Sequence, residues 1–292
     1  MNKLSVVIVT KDRIELYTKL LNKIKNYSFY DKVDWIVVDN SSSEIEKIKA
    51  DLSSGIVFFY HANDFVSARN LSIELVNTEY FYILDDDDEL TEDFYTAFID
   101  GLKFYPNANF ISTCWEKLGR NKSCDGTIHG INGADGLNSF KDYAEDKYTK
   151  VYLSNGGNFY KTSLFKDNKI RYHEFYSDDI YPITLAYMLS GLHTVRVNVI
   201  TNYYNTQSTV TSVKSIDDKR LLAESMYRSY ARLYNHFKLI SINDLDVLIK
   251  AVSNSIDQLL VIDDYCYPPL VEFKIMLQTF KAARLDVTYA TK

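Results

Sequence analysis

Apolar segments that alternate with helical patterns fill the first hundred residues of this chain. Four segments are apolar almost throughout, at residues 4–10, 35–39, 56–60 and 80–84. Residues 14–24 and 67–76 have helical spacing, and a shorter helix is predicted at 43–50. Strands without a polar face are buried on both sides, which is typical of parallel βαβ units. The sequence therefore predicts an α/β fold with a mostly parallel central sheet and flanking helices.

Polar residues follow these predicted strands. Thr10 ends the first strand, Asp39 ends the second, and the aspartates Asp85 to Asp88 follow the fourth. Because the carboxyl ends of parallel strands meet at the edge where ligands bind, we expect these groups to lie together. Adjacent carboxylates repel one another, and a divalent cation, which prefers carboxylate ligands, relieves that repulsion. A solvated acidic loop without a ligand is the alternative interpretation.

The pattern changes after residue 100. Strands are predicted at 110–115, 155–160 and 194–204, a helix at 180–190, and a mobile loop at 119–136. Three more helices are predicted at 216–239, 242–263 and 269–284. The chain is therefore divided into a sheet-containing part, residues 1–214, and a C-terminal helical region, residues 215–292.

Two of the C-terminal helices carry wide apolar stripes. The first consists of Leu221, Leu222, Met226, Tyr230, Leu233 and Phe237, and the second of Leu245, Leu248, Val252, Ile256 and Leu259. Stripes of this width need cover from water. We expect the cover to come from the rest of the chain or from a second copy in a homo-oligomer.

Composition excludes several classes of protein. A net charge of −6 without a Lys/Arg cluster argues against a general nucleic-acid binder. No stretch approaches the length of a membrane span, so membrane contact is expected to be peripheral if it occurs. The first residues lack the apolar core of a signal peptide, and three cysteines without CxxC spacing indicate a reduced, cytosolic compartment.

Four segments, in order and spacing, resemble the inverting GT-A glycosyltransferases of family 2. They are Ser5–Arg13, Ile36–Ser42, Asn63–Asn70 and Leu84–Asp88, and a weaker resemblance continues over residues 155–211. The resemblance implies a Rossmann-like GT-A fold in which residues 1–100 bind a nucleotide sugar and 101–214 form the acceptor half. It implies transfer from a nucleotide-diphosphate donor, a UDP-sugar above all, to a carbohydrate hydroxyl or lipid-linked glycan with Mn²⁺ or Mg²⁺. The implied setting is bacterial surface-polysaccharide assembly, in the cytoplasm or at the inner face of the membrane.

The acidic run matches the D-x-D pattern of that family. By resemblance, Asp87 coordinates the metal between the two donor phosphates, and Asp85 approaches the ribose or the metal's water shell. A cation is needed there because the leaving nucleoside diphosphate develops negative charge. Asp86 and Asp88 stay open, since four aspartates allow the register to move by one residue.

Further donor-binding residues follow from the same resemblance. Asp39 could accept a hydrogen bond from a uracil N–H, or it could only cap the turn that follows it. Arg69 could reach a base carbonyl or the diphosphate, or form a salt bridge to Asp39 or the acidic run. Thr10 and Arg13 are predicted to line the same donor-binding site.

The catalytic base is predicted in the pair Asp178-Asp179, which resembles the family's Glu-Asp pair. Asp179 matches the base and Asp178 is the second candidate, while the alternative is a plain helix cap. A helix N-terminus is expected to keep such a carboxylate ionised. Gly156-Gly157 would either let the backbone approach the sugar or simply form a turn.

Two other classes of function compete with this interpretation. A nucleotidyltransferase would usually carry a glycine-rich phosphate loop after the first strand, but residues 9–13 contain no glycine. A non-catalytic nucleotide or Ca²⁺ binder would leave the Asp178-Asp179 pair without a purpose.

The chain also departs from the pattern of the family that it resembles. Lys11 stands where an aromatic residue of that family often stacks on the base, and residues 203–211 lack the basic side chains often found near the diphosphate.

Overall fold

The structure is a computed structural model that describes most of the chain. The described residues are 3–41, 57–117, 127–131, 154–174, 176, 178–204, 215–236, 242–263 and 267–290. The strands are β1 (Leu4–Thr10), β2 (Val33–Asp39), β3 (Val57–His61), β4 (Tyr80–Asp85), β5 (Glu89–Leu90), β6 (Phe110–Lys117), β7 (Ile128–Ile131), β8 (Asn158–Lys161) and β9 (Thr194–Tyr204). The helices are α1 (Ile14–Ile24), α2 (Phe65–Leu75), α3 (Phe94–Phe104), α4 (Thr162–Asp167), α5 (Ile180–Ser190), α6 (Ile216–His236), α7 (Ile242–Asp263) and α8 (Pro268–Ala290).

The first half of the sheet is parallel. Its strands lie in the order β3-β2-β1-β4, and each neighbouring pair runs in the same direction. In this register Thr10 pairs with Asp39 across β1 and β2, and Val9 pairs with Asp85 across β1 and β4. The predicted βαβ pattern therefore brings the polar strand ends to adjacent positions on one edge.

The second half of the sheet is mixed and irregular. After β4 the order continues β8-β6-β9-β5, and only β6 and β9 are parallel to each other in that stretch. The pairing of β6 with β9 shifts register near Cys114, which is typical of a β-bulge. Only Asp86 to Asp88 separate β4, in the middle of the sheet, from β5, on the far edge. The acidic run is therefore a short crossing between two distant strands.

Apolar side chains alternate between the two faces of the sheet, as the pleat requires. Val6 and Ile8 of β1 pack with α1, α3 and Trp35, whereas Val7 and Val9 face a second core. That second core contains α2, α4 and α5 and continues into α6, α7 and α8. The C-terminal helices therefore share a hydrophobic core with the sheet.

The predicted α/β fold with a C-terminal helical region is confirmed, with local corrections. Part of the predicted mobile loop is the strand β7, which pairs with β9. Leu221 is 42% exposed and is not part of the buried stripe. Helix α2 begins at Phe65 rather than Ser67, because Asp64 caps it by accepting from Ser67 N. Helices α3 and α4 were not predicted, and the predicted helix at 43–50 and Phe237 lie outside the described residues.

Candidate active site

The turns after β1 and β2 are joined by hydrogen bonds. Asn40 N donates to Thr10 O at 3.1 Å, and Asp12 N donates to Ser41 Oγ. Asp12 has a φ of 50°, a left-handed conformation that aspartate tolerates better than most residues. Asp39 is buried, and its Oδ1 accepts from Ser41 N at 3.0 Å. The turn-capping role considered for Asp39 is therefore present, on a carboxylate at the tip of β2.

Asp86 faces the first turn. Its Oδ2 accepts from Thr10 Oγ1 at 2.7 Å, and its Oδ1 accepts from Arg13 Nη1 at 2.9 Å. Burial raises the pKa of Asp86 to about 6, against the lowering effects of the Thr10 and Arg13 contacts. Arg13 Nη1 also reaches Asp87 Oδ2 at 3.0 Å. Thr10, Arg13 and Asp86 thus tie the end of β1 to the end of β4.

Arg69 joins the acidic run to the Asp178-Asp179 pair. Its Nη2 donates to Asp85 Oδ1, and its Nε donates to Asp178 Oδ2 at 3.1 Å. The guanidinium lies over the ring of Phe65, 5.0 Å from its centroid, and 6.0 Å from that of Tyr172. Its third nitrogen, Nη1, is buried and has no hydrogen-bond partner among the described residues. The salt bridge considered for Arg69 is therefore formed with the acidic run.

Asp178 is held by neutral neighbours as well as by Arg69. Asn155 also makes a side-chain hydrogen bond to Asp178, and the oxygen Oδ1 of Asn155 accepts from Tyr172 Oη at 2.6 Å. Asn70 in turn holds the backbone of Tyr172 from both sides, at 3.0 and 2.8 Å. These bonds fix the orientation of Asp178.

Burial changes the expected protonation of this pair. Burial raises the pKa of Asp178, and Arg69 opposes that rise. Burial also raises the pKa of Asp179, and repulsion from Asp178 and then from Asp85 raises it further. We expected the helix N-terminus to keep Asp179 ionised, but desolvation outweighs the helix dipole here. Asp179 therefore has the higher proton affinity that suits a general base near neutral pH.

The glycine turn at Gly156-Gly157 lies next to the acidic run. Gly157 has a φ of +79°, and a Cβ there would meet Trp115 Cδ1 at 3.1 Å. A Cβ on Gly156 would lie 3.0 Å from Asn202 Nδ2, which donates to Asp88 Oδ2 at 3.3 Å. Gly157 N also donates to the buried Tyr82 Oη at 2.7 Å. The turn considered for these glycines is therefore present, and the approach of their backbone to a sugar stays a prediction.

The carboxylates of the acidic run fit the binding of a divalent cation such as Mg²⁺ together with the phosphates of a ligand. Asp85 is partly exposed and bonded through one oxygen, and carboxylate oxygens that accept from arginine keep lone pairs for a cation. No group of three His, Cys, Asp or Glu side chains within the described residues could hold a metal without help. Mg²⁺ is usually held by one or two carboxylates together with substrate phosphates. The residues present therefore fit a metal bound jointly by protein and ligand.

Sequence reasoning missed the residues that support the charged groups. These buried residues are Asn155, Tyr172 and Asn202. Asn155 bonds to Asp178, Tyr172 bonds to Asn155, and Asn202 bonds to Asp88. Asn155 could have been suspected, because it directly precedes the glycine pair. Tyr172 and Asn202 act through contacts with residues far away in the chain, which no local pattern reveals.

Comparisons with known proteins concern the family and the fold of the chain. Residues 5–168 match the family model described as "Glycosyl transferase family 2", while the search of curated proteins found no match. S. aureus TarS 1-349 in complex with UDP is similar with a TM-score of 0.58 and 18% identity, over 99% of this chain and 91% of that chain. TarS 1-349 in complex with UDP-GlcNAc gives 0.58 and 16%, over 96% and 92%. The mannosyltransferase PcManGT from Pyrobaculum calidifontis, in complex with GDP-Man and Mn²⁺, gives 0.53 and 14%, over 99% and 82%.

Proposed function

The chain belongs to glycosyl transferase family 2 and has the GT-A fold, and we propose that it transfers a sugar, with inversion, from a nucleotide-diphosphate donor to a carbohydrate hydroxyl. One observation carries the proposal. Arg69 binds Asp85 of the acidic run and Asp178 beside the candidate base, so one side chain joins the candidate donor and acceptor groups. An inverting transferase needs the base and the leaving group on opposite sides of one sugar.

The donor side supports a uridine diphosphate sugar in the first place. Asp39 is proposed to accept from the base, and Arg69 Nη1, which lacks a partner among the described residues, to donate to the nucleotide. Asp87 and Asp85 are proposed to hold Mn²⁺ or Mg²⁺, which would neutralise charge on the leaving diphosphate. The solved neighbours were bound to UDP-GlcNAc or to GDP-Man with Mn²⁺, which supports a metal and leaves guanosine as the second base.

The acceptor side supplies the proton acceptor. Asp179 takes the proton of the attacking acceptor hydroxyl while the oxygen of that hydroxyl bonds to the anomeric carbon. The bond from that carbon to the diphosphate oxygen breaks, and its electron pair leaves with the diphosphate. Asp178 is held by Arg69 and Asn155 and thereby helps to fix the position of Asp179. Its negative charge also raises the pKa of Asp179 by repulsion.

The biological setting belongs to the same proposal. We propose a carbohydrate or lipid-linked glycan acceptor, in bacterial surface-polysaccharide assembly on the cytoplasmic side of the membrane. Within the described residues no helix is long and apolar enough to cross a bilayer. Ile275 and Met276 are exposed on α8, which supports a second copy of the chain as a partner of the C-terminal helices.

A panel of UDP- and GDP-sugars tests the proposal. Purified protein is incubated with each donor and Mn²⁺, Mg²⁺ or excess EDTA, and release of nucleoside diphosphate is measured. We expect one donor to be turned over with metal and not with EDTA, and Asp87→Asn to weaken binding of that donor without lowering the unfolding temperature. No turnover of any donor would contradict the proposal, and full activity in EDTA would remove the metal from it.

A further inference from the structure

The residues that lead into the candidate base lie against helix α6. We define the base segment as Tyr172, His173, Glu174, Tyr176, Asp178 and Asp179. Within it Glu174 is nearly buried, and its carboxylate meets two arginines of α6. Its Oε2 lies 3.2 Å from Arg228 Nε, and its Oε1 lies 3.2 Å from Arg232 Nη2. Each carboxylate oxygen of Glu174 therefore has its own cation.

Tyr176 is held by the same helix. Ser225 Oγ donates to the Tyr176 carbonyl, and Tyr176 Oη donates to Asp218 Oδ1 at 3.0 Å. The α6 partners are Asp218, Ser225, Arg228 and Arg232. Their spacings of seven, three and four residues put all four on one face of a helix. One face of α6 therefore holds the base segment at Glu174 and again at Tyr176.

The other end of the base segment is fixed by helix α2 and by Asn155. Asp178 is bonded to Arg69 of α2 and to Asn155. Directly after Asp179 the helix α5 begins, and its first hydrogen bond runs from Ile183 N to Asp179 O at 3.0 Å. Asp179 thus lies between an anchor to the donor side and an anchor to the C-terminal helices.

We propose that Glu174, with Arg228 and Arg232, is a positioning clamp through which the C-terminal helix α6 sets the place of the catalytic base. The proposal rests on the proposed function, in which Asp179 is the base. Within the described residues, the contacts of Glu174, Arg228 and Arg232 include neither the acidic run nor the turns after β1 and β2. Loosening it therefore displaces the base from the acceptor and leaves donor binding intact. A displacement of about 1 Å in a catalytic group can cost on the order of 10²-fold in rate.

The test is Glu174→Gln, which keeps the size of the side chain and removes its charge. Arg232→Gln is the second variant, because Arg232 is half exposed and its loss is easily tolerated in folding. Asp246→Asn is the matched control, since it removes a carboxylate that pairs with Lys281 between α7 and α8. We measure kcat, the KM for the donor, and nucleoside-diphosphate binding by calorimetry, whose stoichiometry counts correctly folded sites.

We expect both clamp variants to lower kcat per folded site by about tenfold or more. The donor KM and nucleotide affinity should stay within about twofold of wild type, and Asp246→Asn should match wild type throughout. A purely structural role would lower the number of binding sites and leave kcat per site unchanged. Unchanged kcat per site, or a parallel loss of nucleotide affinity, would overturn the proposal.

Hydrogen exchange separates this proposal from the proposed function. In the ligand-free protein, Glu174→Gln should speed exchange of the Ile183 amide at least tenfold, and Asp246→Asn should not. If the wild-type protein turns over no donor, the proposed function fails and this exchange alone decides whether the clamp exists. Unchanged Ile183 exchange in both clamp variants would overturn it.

Discussion

Replacing Arg69 by methionine should expose how much the site depends on one buried cation. Methionine fills the space between the rings of Phe65 and Tyr172 but carries no charge. The substitution removes from the nearly buried Asp178 its only cationic hydrogen-bond donor among the described residues. The partly exposed Asp85 also loses its arginine partner, but water can replace that hydrogen bond. Asp85 is 35% exposed at its side chain and Asp178 only 12%, so the penalty falls mainly on Asp178.

The magnitude follows from these exposures. Removing one partner of a buried ion pair costs about 3–5 kcal/mol, and the solvent around Asp85 places this case near 3 kcal/mol. The cost should depend on pH. Arg69 lowers the pKa of Asp178, which burial raises, so the variant carries a carboxyl with a still higher pKa. A carboxyl whose pKa is raised in the native state contributes stability at low pH, and this contribution is lost as pH rises through that pKa. The free energy of unfolding of the variant should therefore be lowest above neutrality.

Guanidinium unfolding followed by tryptophan fluorescence at pH 5.5 and 8 measures this directly. Arg171→Met is the control, because Arg171 pairs with Glu74 at the surface and should cost under about 1 kcal/mol. Asp178→Asn in the Arg69→Met background removes the orphaned charge and should restore part of the loss. A loss below about 1 kcal/mol, or strict additivity in the double variant, would refute the view that Arg69 neutralises these carboxylates.

Three other predictions follow from the described contacts. Asp179→Asn should lower turnover by about 10²- to 10⁴-fold with nucleotide affinity unchanged, whereas loss in Asp178→Asn alone would move the base by one residue. Asp86→Asn should gain stability relative to wild type as pH rises from about 4 to about 7, because burial raises the pKa of Asp86 to about 6 and so disfavours its ionised form in the wild-type protein. A difference in unfolding free energy that stays constant over this pH range would contradict this. Removing residues 215–292 should give insoluble or inactive protein, because α6 to α8 share a core with α5, and a monodisperse, fully active fragment would show that the helices are dispensable.

The parallel half of the fold could be predicted because its strands are apolar on both faces. That pattern leaves few alternatives, and it explains why Thr10, Asp39 and Asp85 could be grouped before any coordinates. Helix α3 was missed because Gly101 interrupts an aromatic pattern. The structure explains the glycine, since a Cβ there would lie 2.9 Å from Ile111 Cγ2.

The supporting contacts could not be predicted, because they join distant parts of the chain. Strand β5 has two residues and β7 four, and among the described strands each pairs with β9 alone. The contacts of Asp86 with Thr10 and Arg13 depend on the turn after β4, in which Asp88 N donates to Asp85 O at 3.1 Å. The Glu174 clamp joins residues more than fifty positions apart, and no sequence period links them.

The crossing from β4 to β5 limits the shape of the whole sheet. In a flat sheet the four strand spacings between β4 and β5 would cover about 19 Å, whereas the four chain steps from Asp85 to Glu89 reach at most about 14 Å. The second half of the sheet must therefore curl towards the first. The acidic run acts as a covalent tie that sets this curvature through the length of the chain alone. Insertions into the run would lengthen the tie and let the sheet flatten, which makes the length of the run as constrained as its charge.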